Sequence, residues 1–189
     1  MKKGIFLLIS LMISVASYSQ HFALKNNLVY DAMLTPNLGM EFKLGKRVTL
    51  DLSANYNPFT FNDNKKFKHW LAQPELRFWT CEKFNGTFFG IHAHGGEYDV
   101  AGIKLPFDLF KNLEHNRYKG YFYGGGISIG HQFVLSKHWN FEASIGGGYA
   151  RIEYDKYDVL PKDAPKKEKD HYNYFGVTKA TLSLIYIFR

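Results

Sequence analysis

From residue 23 to its end the chain repeats one pattern, short runs in which apolar and polar side chains alternate, and this period of two restricts the fold more than any other feature. Alternation sends successive side chains to opposite faces of an extended strand, whereas helices show a period near 3.6. Eight strands are predicted, over roughly 23 to 33, 38 to 45, 47 to 57, 69 to 82, 87 to 102, 118 to 135, 139 to 155 and 175 to 188. In the third, Val48, Leu50, Leu52 and Ala54 oppose Arg47, Thr49, Asp51, Ser53 and Asn55. In the last, Ala180, Leu182, Leu184, Tyr186 and Phe188 oppose Lys179, Thr181 and Ser183.

The connections alternate as well. Those after the second, fourth and sixth strands are tight, at Gly45-Lys46, Lys83-Phe84-Asn85-Gly86 and Ser136-Lys137-His138. Those after the third, fifth and seventh are long and polar, over roughly 58 to 68, 103 to 117 and 156 to 174; the turn at Thr35-Pro36-Asn37 is short. Tight turns on one rim and long loops on the other are the habit of outer-membrane barrels.

The N-terminus reads Met1-Lys2-Lys3, an apolar run from Gly4 to Val15, and then Ala16, Ser17, Tyr18 and Ser19. This is the layout of a secretory signal peptide, 1–19, with the mature domain over 20–189. No cysteine at the junction favours a lipoprotein anchor. After Gln20 no apolar run reaches the roughly 20 residues that a membrane helix needs, so any spanning must be by strands closed on themselves.

Alternation alone also suits a soluble sandwich, and three features choose against it. Glu41, Lys43, Arg47, Asp51, Glu75, Arg77, Glu142 and Lys179 fall on the face opposite the apolar one with both signs interspersed, as a charge network inside an eight-stranded barrel requires. Aromatics crowd the strand ends, Trp79, Phe84, Phe133, Trp139 and Phe188 near the tight turns and Tyr30, Tyr56, Phe59, Tyr98, Tyr118 and Tyr154 near the other rim, as the two outward girdles expected at the membrane interfaces. The closing alternation ends on Phe188, like the C-terminal strand by which the barrel-insertion machinery recognises its clients, although Arg189 follows. The expectation is an all-β, eight-stranded antiparallel up-and-down transmembrane barrel of the outer membrane. A bulge is expected at Pro74, which cannot donate to a ladder, and tight bending with room for inward aromatics at Gly124–Gly126 and Gly146–Gly148.

The stretch His69-Trp70-Leu71-Ala72-Gln73-Pro74-Glu75-Leu76-Arg77-Phe78-Trp79, the stretch Cys81-Glu82-Lys83-Phe84-Asn85-Gly86-Thr87-Phe88-Phe89-Gly90-Ile91-His92, Gly176-Val177-Thr178-Lys179-Ala180 and Ser183-Leu184 resemble the Bacteroidota family catalogued as domain of unknown function 3575. The resemblance covers nearly the whole mature chain. It implies an outer-membrane-type barrel without established activity, sometimes associated with fimbria-like surface loci, and it brings no catalytic residues.

Motifs with chemistry are few. Gly126-Ile127-Ser128-Ile129-Gly130 matches the nucleophile elbow of hydrolases, but the serine falls in mid-strand with no helix after it. His92 and His94 share the inward face with Ser128, Ser144 and Glu142, the residue types of a serine hydrolase, and would support a lipid-modifying enzyme as an alternative. No third ligand at diagnostic spacing accompanies the histidines, so neither metal nor cofactor is expected. The interior charges read as a plug, with a narrow channel as the alternative. The formal charge of +7 suits lipopolysaccharide, whereas no compact basic patch points to nucleic acid. Lys65, Lys66, Lys68, Lys166, Lys167 and Lys169 are the expected loop contacts to lipopolysaccharide or to a surface protein partner. Cys81 is alone and cannot form an internal disulfide. The function expected is a structural or interaction protein of the outer membrane, not an enzyme.

Overall fold

The computed structural model describes residues 22–60, 65–102, 116–158 and 168–188. The expected signal peptide, Lys166, Lys167 and Arg189 lie outside these residues. Eight strands run in order: β1 (Phe22–Asn27), β2 (Asn37–Lys43), β3 (Val48–Asn57), β4 (Lys66–Trp79), β5 (Gly86–Ala101), β6 (Asn116–Val134), β7 (Trp139–Asp158) and β8 (Glu168–Phe188), with one short helix, α1 (Leu28–Ala32), after β1. Every strand pairs antiparallel with the next, and β1 also pairs with β8 from Phe22↔Phe188 to Asn27↔Ser183, so the sheet closes on itself. No helix among the described residues is long and apolar enough to cross a membrane.

Closing the sheet gives each strand an inner and an outer face, and the usual polarity is inverted. Arg77, Glu41, Glu75, Glu142 and Gln132 are among the largest fully buried side chains, while Phe89, Ile91, Ile127, Ile129, Ile145, Val177 and Leu182 are exposed. The exposed aliphatics lie between two outward aromatic rows. Phe78, Phe133, Trp139 and Phe188 stand near the short turns, and Tyr56, Trp70, Tyr121, Tyr123 and Phe175 stand further along the strands. On β7 the span from Trp139 to Tyr149 is ten residues, roughly 25 Å at about 3.3 Å per residue and a tilt near 40°. Just beyond the second row, facing positions on five strands alternate in sign: Lys68↔Asp99↔Lys119↔Asp155↔Lys169. Opposite charges directly across a ladder support pairing.

The two glycine clusters face each other, with Gly126 opposite Gly148. A Cβ on Gly126 would sit 2.3 Å from the Gly147 carbonyl oxygen, so β6 and β7 approach too closely there for any other residue. On the inner face the missing side chains make room for imidazoles: a Cβ on Gly124 would meet His94 Nε2 at 2.9 Å, and one on Gly146 would meet His92 Cε1 at 3.1 Å.

The structure departs from the sequence reading at several places. The first strand stops at Asn27 rather than 33, because side-chain amides take over from the ladder. Asn27 Oδ1 accepts from Val29 N–H and caps α1, and Asn37 accepts from Asn27 N–H while donating to Asn27 O and Asp31 Oδ1. The expected loop over 156 to 174 is mostly strand, since β7 runs to Asp158 and β8 starts at Glu168. Its charged residues pair across the ladder, as Asp155↔Lys169 shows. Lys66 and Lys68 likewise belong to β4, and Lys65 is exposed just before it. Pro74 makes no bulge: the β3–β4 register runs through it, and the β4–β5 register keeps its phase between Ala72↔Gly95 and Glu75↔His92. The irregularity lies instead at Gly146/Gly147 against β8.

Candidate functional site

The ionic interior is built by alternation on β1, β2, β3, β4, β7 and β8, each of which turns one or two charged side chains inward at the same level. Arg77 is its hub. Its Nε donates to Glu75 Oε1 at 2.7 Å, Nη1 donates to Glu41 Oε2 at 2.9 Å and Glu142 Oε2 at 2.8 Å, and Nη2 pairs with Asp51. Its guanidinium carbon lies 4.3 Å from the Phe88 ring centroid, a cation–π contact. Lys25 donates to Glu41 at 2.8 Å and Glu142 at 2.7 Å, and Lys179 reaches Glu75 at 2.9 Å. An arginine supplies five donors in a fixed fork, which is why one side chain can engage four carboxylates.

Six of the eight residues expected to form this network are therefore brought together: Glu41, Asp51, Glu75, Arg77, Glu142 and Lys179. Lys43 and Arg47 are not, because they flank the exposed β2–β3 turn, below the level of the cluster. Lys25 is the participant that the sequence reading missed. Its signal is present, since Ala23, Lys25 and Asn27 share the inner face of β1, but the run of Leu28, Val29 and Tyr30 hides that phase.

Below the cluster, toward the short turns, aromatics and amides form a floor. Trp79, Phe84 and Phe88 lie inside, so the first two are not part of an outward girdle. Trp79 Nε1 donates to Thr49 Oγ1 at 2.9 Å, and Thr49 in turn donates to Glu41. Asn140 Nδ2 donates to Phe84 O at 2.7 Å and Gln132 Oε1 at 3.0 Å, and Gln132 donates to Glu142. Phe84 reaches this place from a turn at φ +60°, a left-handed conformation costly for a bulky residue, and its ring packs on Ala23, Ile185 and Ile187. Above the cluster, Tyr98, Val100 and Tyr118 form a roof with Phe67, Phe122, Ile152 and Tyr154. Tyr98, Tyr118 and Tyr154 are thus inward as well, contrary to the expected girdle.

The hydrolase constellation does not assemble. Ser128 Oγ donates to Glu75 Oε2 at 2.9 Å, and Ser144 bonds Thr181 at 2.6 Å. His92 Nε2 pairs with Thr178 Oγ1 at 2.9 Å, its Nδ1 lies 3.6 Å from Glu75 Oε2, and His94 stacks toward Phe122. Neither serine is bonded to a histidine, and Glu142 is engaged by Lys25, Arg77 and Gln132. Nucleophilic catalysis needs the base within hydrogen-bond reach of the nucleophile. Among the described residues no three His, Cys, Asp or Glu side chains converge as metal ligands would.

Outside the ring, beyond the second aromatic row, Arg117 grips Asp99 through two hydrogen bonds of 2.7 Å. Partial burial pushes the Asp99 carboxyl up, but the Arg117 guanidinium, with Lys66 and Lys119 beside it, outweighs this and holds it below its ordinary value.

A family model for a protein of unknown function, DUF3575, matches residues 5–188, and the chain belongs to that family. No curated protein and no solved structure matches it.

Proposed function

We propose that this member of the DUF3575 family is an exported outer-membrane β-barrel of the structural or interaction type, closed to conduction and working through the wall and loops beyond its upper aromatic row. The observation that carries the reading is the inverted polarity, an exposed aliphatic belt roughly 25 Å tall between two aromatic rows around an ionic interior. Exposed apolar surface of that extent marks a membrane or partner interface. Among the described residues the floor, cluster and roof place buried side chains at three levels of the interior, which argues against the channel reading. The separated serines and histidines give the hydrolase reading little support.

The partner surface would be the outer end of β4–β8, where Lys65, Lys66, Lys68 and Lys169 lie beside the alternating charge row, facing lipopolysaccharide or a surface protein. Phe188, stacked on Phe22 at 4.3 Å, would be the end of the strand read by the insertion machinery. The test is fractionation of cells expressing the full chain, followed by protease shaving of intact cells. Outer-membrane recovery with cleavage confined to residues beyond the upper aromatic row is expected. Recovery as a soluble periplasmic protein would overturn the reading. Trimming the segments 58–65, 103–115 and 159–167 together should abolish partner capture while leaving the protein in the membrane.

A further inference from the structure

The wall of the ring is not of even height. β1 and β2 have 6 and 7 residues, against 20 and 21 in β7 and β8. At about 3.3 Å per residue and a tilt near 40°, that is roughly 15 to 18 Å on one side and roughly 50 Å on the other. The low side ends within the aliphatic belt. Above Ser183 the β1-facing edge of β8 has lost its partner strand, and Leu182 N–H is taken instead by the Asn27 side chain. The gap is bridged by α1 and residues 33–36.

At this gap a carboxylate stands among apolar side chains, with Leu28, Met33 and Leu34 exposed beside Asp31. Asp31 is exposed, and its carboxylate accepts from Asn26 Nδ2 at 3.3 Å and Asn37 Nδ2 at 2.9 Å. At the corresponding depth the far wall presents Ile127, Ile145 and Val177. A carboxylate facing hydrocarbon is costly, so water or lipid head groups must reach down to this point. Behind the gap lies a cavity of about 30 Å³, room for a single small polar group, whose lining includes Asn27 of β1, Tyr30 of α1 and Leu38 of β2 at the seam, and Asp51, Asn55 and the cations Lys25, Arg77 and Lys179 from the interior. Asp51 Oδ1 and Asn55 Oδ1 are buried there without a hydrogen-bond donor. Two acceptor oxygens without donors call for a group that carries N–H or O–H.

We propose that the β1–β2 seam is a side opening at which an outer-leaflet amphiphile presents a hydrogen-bond-donating head, an ammonium or a sugar hydroxyl, to Asp51 and Asn55, its chains remaining outside. This rests on the outer-membrane reading. Water need not travel through the barrel, because the opening is lateral and the cavity behind it ends on Asp51 at the edge of the ionic cluster.

The test uses the full mature chain with Cys81→Ser, reconstituted in lipid nanodiscs, with spin labels at Ala32→Cys, at Val177→Cys and, above the belt, at Asp155→Cys. Collision with a water-soluble nickel chelate should be several-fold greater at residue 32 than at 177, and greatest at 155. If 32 and 177 both respond only to oxygen, the side opening is wrong while the membrane reading stands; if 177 is as open to nickel as 155, the membrane reading itself fails. Head-group chemistry is read separately from the Asn55 side-chain amide resonances. They should shift when phosphatidylcholine nanodiscs are replaced by phosphatidylethanolamine, which donates from ammonium, or are supplemented with glucosyl diacylglycerol, which donates from hydroxyl. A response to one alone identifies the donor, and no response to either overturns the head-group assignment. The lipid that shifts these resonances should also raise the thermal midpoint of the parent, and Asn55→Leu should abolish that rise.

Discussion

Arg77 and Phe78 are neighbours in β4, yet Arg77 is 0% exposed and Phe78 43%. The same contrast between inner and outer face runs along the sheet, with Glu142 inside and Ile145 outside on β7. In water a fold gains by burying Phe78 and solvating Arg77. A sheet that does the reverse suits an apolar medium outside, as the proposed membrane reading supplies, and needs buried charges that satisfy one another, because an isolated buried ion costs far more than a pair. The two faces therefore make opposite demands on substitution, and each can be tested against the other.

The largest effect is expected inside. Arg77→Met removes the donor shared by four carboxylates and should cost about 3–5 kcal/mol, read as a fall in the urea midpoint of the vesicle-inserted protein. A loss under about 1 kcal/mol would mean that the cluster is not held as a unit. On the outer face Ile145→Lys, in mid-belt, should cost about 2–4 kcal/mol in lipid. Lys119→Ala, on the same face but beyond the upper aromatic row, should stay within about 0.5 kcal/mol. Equal costs for these two would erase the boundary drawn between belt and rim. A smaller effect is expected from Ser128→Ala, which deletes one hydrogen bond to Glu75 and should cost about 1 kcal/mol. The extracted lipids of cells carrying it should match those of the parent; altered acylation would revive the hydrolase reading.

How far the sequence could foretell this depended on which face a residue occupies. Strand number and order follow from alternation, because a period of two is unaffected by what lies on either side; closure follows only when the interspersed charges opposite the apolar face are added, since alternation alone also suits a sandwich. Six network members were legible for the same reason. Lys43 and Arg47 keep the phase but lie at the turn, where phase no longer implies enclosure. Aromatics at strand ends are common at interfaces, which points Trp79, Phe84, Tyr98, Tyr118 and Tyr154 outward, while here they cap the interior. The extension of β8 to Glu168 was hidden by its charges, which look like loop until Lys169 is set against Asp155. The stop at Asn27 depends on side-chain hydrogen bonds among Asn27, Asp31 and Asn37, which form where β1 pairs with β2 and which alternation does not encode.

The weakest expected effect lies beyond both faces, at Asp99. Its folded pKa is held below the ordinary 3.8, so the stabilisation it gives is full above that value and is lost as pH falls through and below it. Amide protection at the outer ends of β5 and β6 should decline between about pH 5 and pH 3 in the parent and stay flat in Asp99→Asn. An identical decline in both would assign the pH response to another group.

The claim beneath all of this is that the outer face meets hydrocarbon and the inner face does not, and the three tryptophans report on it directly. Trp70 and Trp139 point outward and Trp79 is buried. In single-tryptophan variants reconstituted with acyl-brominated lipids, fluorescence from Trp70 and Trp139 should be quenched while Trp79 stays bright. Quenching of Trp79, or its absence at Trp139, would contradict the account.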